Sequence, residues 1–525
     1  MKQAALGSAA LSGLGGILTT RRAPAAVTAE AERPSIAWGI QFGDVTHERA
    51  VVWSRSDRPA KLVVEWSTDE RFRHVHRSRG GWALAETDFT ARAELAGLPE
   101  GAEICVRVRF EGSGAHAPSS APVYGRFRTA PTRSRRVRFL WGGDTAGQGW
   151  GIDLGRGGMK TYEAMRQTHP HFFIHSGDNV YADGPMLPEV TDSSGAVIWQ
   201  NAFLDVVPEK LKVAETLDEF RRNYLYNRYD ANLCAFSAEV PQIWQWDDHE
   251  VTNNWSPSKV LDARYTEKDI FVLVERATQA FHEYAPSRPF RGDAAGRVYR
   301  HVAYGPDLDI FVLDMRSYRA GNSCNVRPAP GPETQFLGSE QRAWLKRKLS
   351  SSRATWKIIA SDMPLGLVVG DGTDPVTACP RYENSSNGNG PVLGREFEIA
   401  ELLRFIKQRN IENVVWLTAD VHYAAAHYYD QSVAQFEDFN SFWEFVSGPL
   451  HAGTFGPNAL DDTFGPTVIF QKAPPAGQSN LPPSAGLQFF GQVDLDPRHK
   501  SLTVSFKDQS GALVFAQELS PGMKW

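Results

Sequence analysis

The feature that most constrains this chain is a repeated one: short apolar runs that each stop at an aspartate. Six occur: "FLWGGD" at Asp144, "FFIHSGD" at Asp178, "IWQWDD" at Asp247 and Asp248, "IFVLD" at Asp314, "KIIASD" at Asp362 and "VVWLTAD" at Asp420. Runs of this length and content read as buried strands. In α/β sheets, ligands bind outside the carboxyl ends of the strands. If the strands are largely parallel, their terminal carboxylates gather on one rim, repel one another and lose water. Cations offset that cost, so the pattern predicts bound metal. Taken singly, each aspartate is an ordinary turn former or helix cap: Asp314 reads equally as a partner of Arg316, and Asp362 as a turn residue before Met-Pro. The ordered set carries the argument.

A chain of 525 residues is too long for one core, and two domains are expected. Net charge is −5, which gives no sign of a nucleic-acid surface. The four cysteines lack CxxC spacing and are too sparse for a disulfide scaffold, leaving one or two bridges open. Residues 1–35 combine an early lysine, a small apolar stretch and Ala-rich sites, as in a weak secretory signal, so export is expected. Arg21 and Arg22 follow the apolar stretch, the reverse of the twin-arginine order, and a disordered tail is the other reading. No later run is long and apolar enough for a transmembrane helix.

Residues 36–130 hold short β-type segments punctuated at regular intervals by Gly, Pro, Ser and Asp, which predicts a small all-β sandwich. "PTRSRR" (131–136) reads as a linker. From Val137 to the C-terminus, strand-like runs alternate with amphipathic helices at 157–168, 269–285, 339–351 and 395–410, which predicts an α/β layered body. The last three segments, "LQFFGQVDLD", "KSLTVSFKD" and "ALVFAQEL", read as antiparallel strands that add to a second sheet of that body. Long loops at 183–212 and 366–394 are expected at a functional rim.

Other ligand types surround the aspartates: Asn179 and Tyr181 in "GDNVY"; His249, Glu250, Asn253 and Asn254 in "WDDHEVTNNW"; His422 and His427 in "ADVHYAAAH". Oxygen and nitrogen ligands without thiolate suit Fe, Mn, Zn or Ca, and a phenolate favours Fe(III).

At these motifs, together with "GGDTAGQGWGI", "FVLDMRSYR" and "EFVSGPLHAGTFG", the chain resembles PhoD-type alkaline phosphatases within the calcineurin-like metallophosphatases. "GDNVYAD" is also similar to the tyrosine-bearing motif of purple acid phosphatases. The resemblance covers most of the chain. It implies an α/β four-layer sandwich, two mixed β-sheets flanked by helices, behind a fibronectin-III-like N-terminal domain, with a two- or three-metal site at the strand ends. It implies that Asp178 bridges two metals, that Tyr181 binds Fe(III), and that Asp420 and His422 bind metal. Asp248 stands where the wider superfamily has a metal-binding asparagine, with Asn253 the alternative. The family's usual Ser-Cys pair is absent: Asp144 stands there, so Fe(III) is expected with Ca, Zn or Mn rather than with a fixed partner.

These residues imply hydrolysis of small phosphate esters, mono- or diesters, by a metal-bound hydroxide. His249 would donate a proton, Glu250 would orient it, Asn179 would hold the substrate, and Arg316 and Arg319 would grip the phosphate or, equally, serve as surface or ion-pair arginines. The rival reading is a non-catalytic, exported, metal-stabilised binding protein. No GxSxG elbow, GxxxxGK[ST] loop or zinc HExxH occurs.

Overall fold

The structure, a computed structural model, describes residues 32–113, 118–290 and 296–522. The export signal expected at 1–35 falls almost entirely outside these residues. No helix among the described residues is long and apolar enough to cross a membrane.

All six aspartate-tipped runs form strands, three in each of two mixed sheets. In a nine-stranded sheet, Val137–Gly142, Phe172–Ser176 and Gln242–Gln245 lie side by side and parallel. In a seven-stranded sheet, Leu308–Val312, Trp356–Ala360 and Val414–Thr418 do the same. Period-two alternation sets the facing. Phe139 and Trp141 of the first sheet meet Ile310, Val312, Ile358 and Leu417 of the second in one core. Leu140 and Phe173 point the other way, onto Tyr162, Met165 and Phe236 of helices Lys160–Gln167 and Ala231–Ser237. On the far side of the second sheet, Phe311, Ile359 and Trp416 pack against Leu345, Ile399 and Leu402 of helices Ser339–Ser351 and Glu396–Gln408. The sheets therefore face each other with helices outside, and both present their carboxyl ends at one edge.

The C-terminal strands Phe489–Leu495, Leu502–Asp508 and Leu513–Leu519 are antiparallel as expected. They extend the sheet of Val137–Gly142, because Phe489–Leu495 pairs antiparallel with that strand. The rim loops are partly ordered: 183–212 carries the hairpin Glu189–Thr191 and Val197–Gln200, and 366–394 carries Gly370–Thr373 and Pro380–Tyr382. Cys324 and Cys379 form a disulfide that clips the second hairpin to the loop beginning at Ser317.

The N-terminal all-β region has a four-stranded antiparallel sheet, but its other strands do not stand apart from the body. Ile40–Gly43 pairs parallel with Gln242–Gln245 and brings Arg49–Arg55 and Thr90–Ala96 into the nine-stranded sheet. Gly43 permits the join: a Cβ there would lie 2.1 Å from the Pro286 carbonyl oxygen and 2.7 Å from that of Gln242. Across the same seam Trp53 donates to the Glu283 carbonyl and Arg221 donates to the Glu86 carbonyl.

Candidate metal centre

The aspartates sit just past the strands, where the backbone turns sharply. Asp144 (φ 71°), Asp178 (φ 50°), Asp420 (φ 72°) and His422 (φ 62°) are all left-handed. Non-glycine residues rarely adopt this region, and each instance costs about 1–2 kcal/mol. The strain turns the side chains into the space between the sheet ends, a use typical of functional sites. Gly177 lets two of these ends approach, since a Cβ on it would lie 2.5 Å from the Asp247 Cβ.

Three sets of ligand atoms result, each within 4.8 Å: Asp144, Asp178 and His422; Asp178, Asp248 and His249; Asp247, Asp248 and Asp420. Asp178 and Asp248 each belong to two sets. The Tyr181 hydroxyl lies 2.8 Å from His422 Nε2, and Asp144 Oδ1 lies 3.7 Å from the same nitrogen. His422 Nδ1 faces the Gly453 carbonyl, so that nitrogen carries the proton and Nε2 offers its lone pair to the cluster.

Both carboxylate oxygens of Asp144 and Asp362 are buried with no hydrogen-bond donor, as are Asp247 Oδ2 and Asp248 Oδ1. Buried acceptors in native proteins are nearly always paired. Burial, reinforced by neighbouring carboxylates, pushes Asp144, Asp178, Asp362 and Asp420 well above the ordinary carboxylate range. Burial alone would also raise Asp248, but His249 and Arg316 outweigh it and bring it to about 2. Carboxylates exceed the available positive charge, and the donor set of carboxylate, imidazole and phenol suits hard metal ions. The residues present fit metal.

His249 is set by a neighbour the sequence reading passed over. Its Nδ1 lies 2.7 Å from Asp183 Oδ1, and its backbone N–H donates to Asp178 at 3.2 Å. Burial would lower the imidazole, but Asp183 and Asp248 raise it to about 10. Glu250 does not orient His249. Its Oε1 accepts the backbone and side-chain N–H groups of Asn179 and its Oε2 accepts the Asp247 backbone N–H, so it braces the turns behind the cluster. Asn179 is tied there too: its side-chain amide N–H groups donate to Gln245 and Glu250, while its Oδ1 has no partner.

Arg316 is fully enclosed. It ion-pairs with Asp247 and Glu383 and lies 3.5 Å from Asp362 and 3.7 Å from Asp420. The expected grip on a phosphate gives way to a role as counter-ion beneath the cluster. Asp314 meets it only through the Arg316 backbone N–H. Arg319 is buried, bonded to Asn322 and placed over the Phe336 ring, rather than poised at an open site. Asn253 is exposed on the wall and donates its backbone N–H to Asp183. His427 lies within a strand against Glu444, away from the cluster. Asp183 stood unused in "GDNVYADG", whereas Glu383, in an Asn/Ser/Gly-rich loop, had no local signal at all.

Two mixed sheets that deliver carboxylates, histidines and a tyrosine to one edge define a class, the metal-dependent phosphoric ester hydrolases, and this chain is one of them. It belongs to the PhoD-like phosphatase family, whose model matches residues 139–506, with the family's N-terminal domain matched at 21–131. It is 28% identical over 448 residues to alkaline phosphatase D of Bacillus subtilis (strain 168), covering 81% of this chain and 71% of that protein. Among solved structures, one of PhoD superposes with a TM-score of 0.67 at 21% identity, covering 93% of this chain and 92% of that one. Purple acid phosphatase PPD1 from yellow lupin (Lupinus luteus) seeds gives a TM-score of 0.54 at 13% identity, covering 93% and 74%. At these identities the two structures bear on the fold alone.

Proposed function

We propose that the chain hydrolyses small phosphate esters at the edge shared by Asp144, Asp178, Asp248, Asp420 and His422. The observation that carries this reading is the set of buried, donor-less carboxylate oxygens on Asp144, Asp248 and Asp362. Asp178 and Asp248, common to neighbouring ligand sets, are the candidate bridges. His422 and Tyr181 complete one end, where a phenolate favours Fe(III), with Ca, Zn or Mn as its companion. When bound, the metals would activate water and neutralise charge on the phosphoryl oxygens. His249, held at Nδ1 by Asp183, turns Nε2 toward the cluster and donates a proton to the departing alcohol. Arg316 balances the carboxylates from below and preserves their spacing.

The opposed sheets with outer helices support the four-layer reading of the body, and residues 131–136, which form no helix or strand, support a boundary there. The Cys324–Cys379 bridge supports export, since disulfides persist in oxidising compartments. The test is hydrolysis of para-nitrophenyl phosphate and bis(para-nitrophenyl) phosphate by protein purified without chelator, alongside metal analysis. Activity that disappears with chelator and returns with one of these metals is expected. Full activity in metal-free protein would overturn the reading.

A further inference from the structure

Beside His249 the cluster opens into a pocket of about 340 Å³, walled by Tyr181 and Asp183 on one side and by Lys259, Leu261, Arg264 and Tyr265 on the other. Most of its charge is already matched. Asp183 holds His249, and Arg264 pairs with Asp262 at 2.8 Å while donating to the Asp183 carbonyl. Lys259 is different. Its Nζ donates to the Asn253 carbonyl, and the nearest carboxylate, Asp371 Oδ1, is 3.9 Å away, beyond hydrogen-bond length. An ammonium carries three N–H donors, so two remain for a ligand. Its side chain is 20% exposed, reachable yet partly shielded from solvent. The buried Leu261 and Tyr265 give the same pocket an apolar flank.

Resting on the phosphatase reading above, we infer that this pocket takes the leaving alcohol and that Lys259 selects alcohols bearing a negative charge of their own, a carboxylate or a second phosphate. The reaction consumes one water: its oxygen bonds to phosphorus, the P–O bond to the alcohol breaks, and the alcohol oxygen takes up a proton. His249 lies between the metal ligands and the pocket, at the place where that oxygen departs. A charged group on the departing alcohol then reaches Lys259, where the apolar flank limits screening by water.

The test compares para-carboxyphenyl phosphate with its methyl ester, two substrates of the same shape that differ in leaving-group charge. The quantity read is the ratio of their kcat/KM values in wild type, Lys259→Met and Lys259→Arg, all metal-loaded. The ratio falls about tenfold in Lys259→Met and is largely kept in Lys259→Arg, the size expected for one charge-assisted hydrogen bond. An unchanged ratio in Lys259→Met, or an equal loss on both esters, overturns the assignment and leaves the phosphatase reading standing. A wild type that hydrolyses neither ester nor bis(para-nitrophenyl) phosphate would overturn both.

Discussion

Tyr181 and His422 are 241 residues apart in the chain, yet the tyrosine hydroxyl lies 2.8 Å from the histidine Nε2. Tyr181 follows a strand of the nine-stranded sheet and His422 follows a strand of the seven-stranded sheet. They meet because both sheets end at one edge, with Asp144 and Asp178 beside them. Removing the phenol oxygen in Tyr181→Phe should lower metal content and cut kcat at least tenfold, with little change in fold. Elemental analysis and initial rates check this, and a fully active, metal-replete variant would remove Tyr181 from the ligand set.

Asp178 belongs to two ligand sets, so it should be the least replaceable of the carboxylates. Asp178→Ala is expected to abolish hydrolysis and strip metal from the purified protein. Retention of both would mean that the sets do not share a ligand.

Asp183 touches His249 rather than the central carboxylates. Asp183→Asn should therefore keep most of the metal while kcat drops roughly 10–100-fold, as for other partners that orient an active imidazole. Metal loss in proportion to activity loss would instead make Asp183 part of the ligand scaffold.

At the foot of the 366–394 loop, Glu396 is buried with Oε1 unpaired, and burial, aided by Asp461, raises it from 4.5 to about 9. Between these values the folded protein holds a proton that the unfolded chain has lost. Stability must then fall as pH rises through this window, by at most about 1.4 kcal/mol per unit. Glu396→Gln keeps a neutral side chain at every pH. Its melting temperature should decline less than wild type between pH 6 and pH 9, a range inside the window the raised value defines. Parallel declines in the two proteins would rule out a protonated Glu396.

The Cys324–Cys379 bridge closes a separation of 55 residues. It fixes the hairpin that carries Asp371 and leads into Glu383, the partner of Arg316. Reduction, or the Cys324→Ser and Cys379→Ser pair, should cost about 2–4 kcal/mol. The melting temperature should drop on adding reductant to wild type, and the double variant should no longer respond. A wild type indifferent to reductant would show that the hairpin is held without the bridge.

The local pattern of the chain determined a good deal. Each apolar run ending in aspartate is a strand, because side-chain periodicity and β-branched content act over a few residues. The four expected helices form at Lys160–Gln167, Ile270–Tyr284, Ser339–Ser351 and Glu396–Gln408 for the same reason. Asp144, Asp178, Asp248, Asp420 and His422 were legible as a group, since ionisable residues at the ends of buried strands are costly enough to stand out. Tertiary structure alone decided the rest. It set which three aspartate strands share a sheet, and that Ile40–Gly43 joins the body's sheet through Gln242–Gln245. It assigned Asp183 to His249 and Glu250 to Asn179, and closed Arg316 in among carboxylates. Those side-chain hydrogen bonds each join residues 66 to 71 positions apart. They depend on which apolar faces bury one another and which charges are left facing, and no local stretch of sequence carries that information.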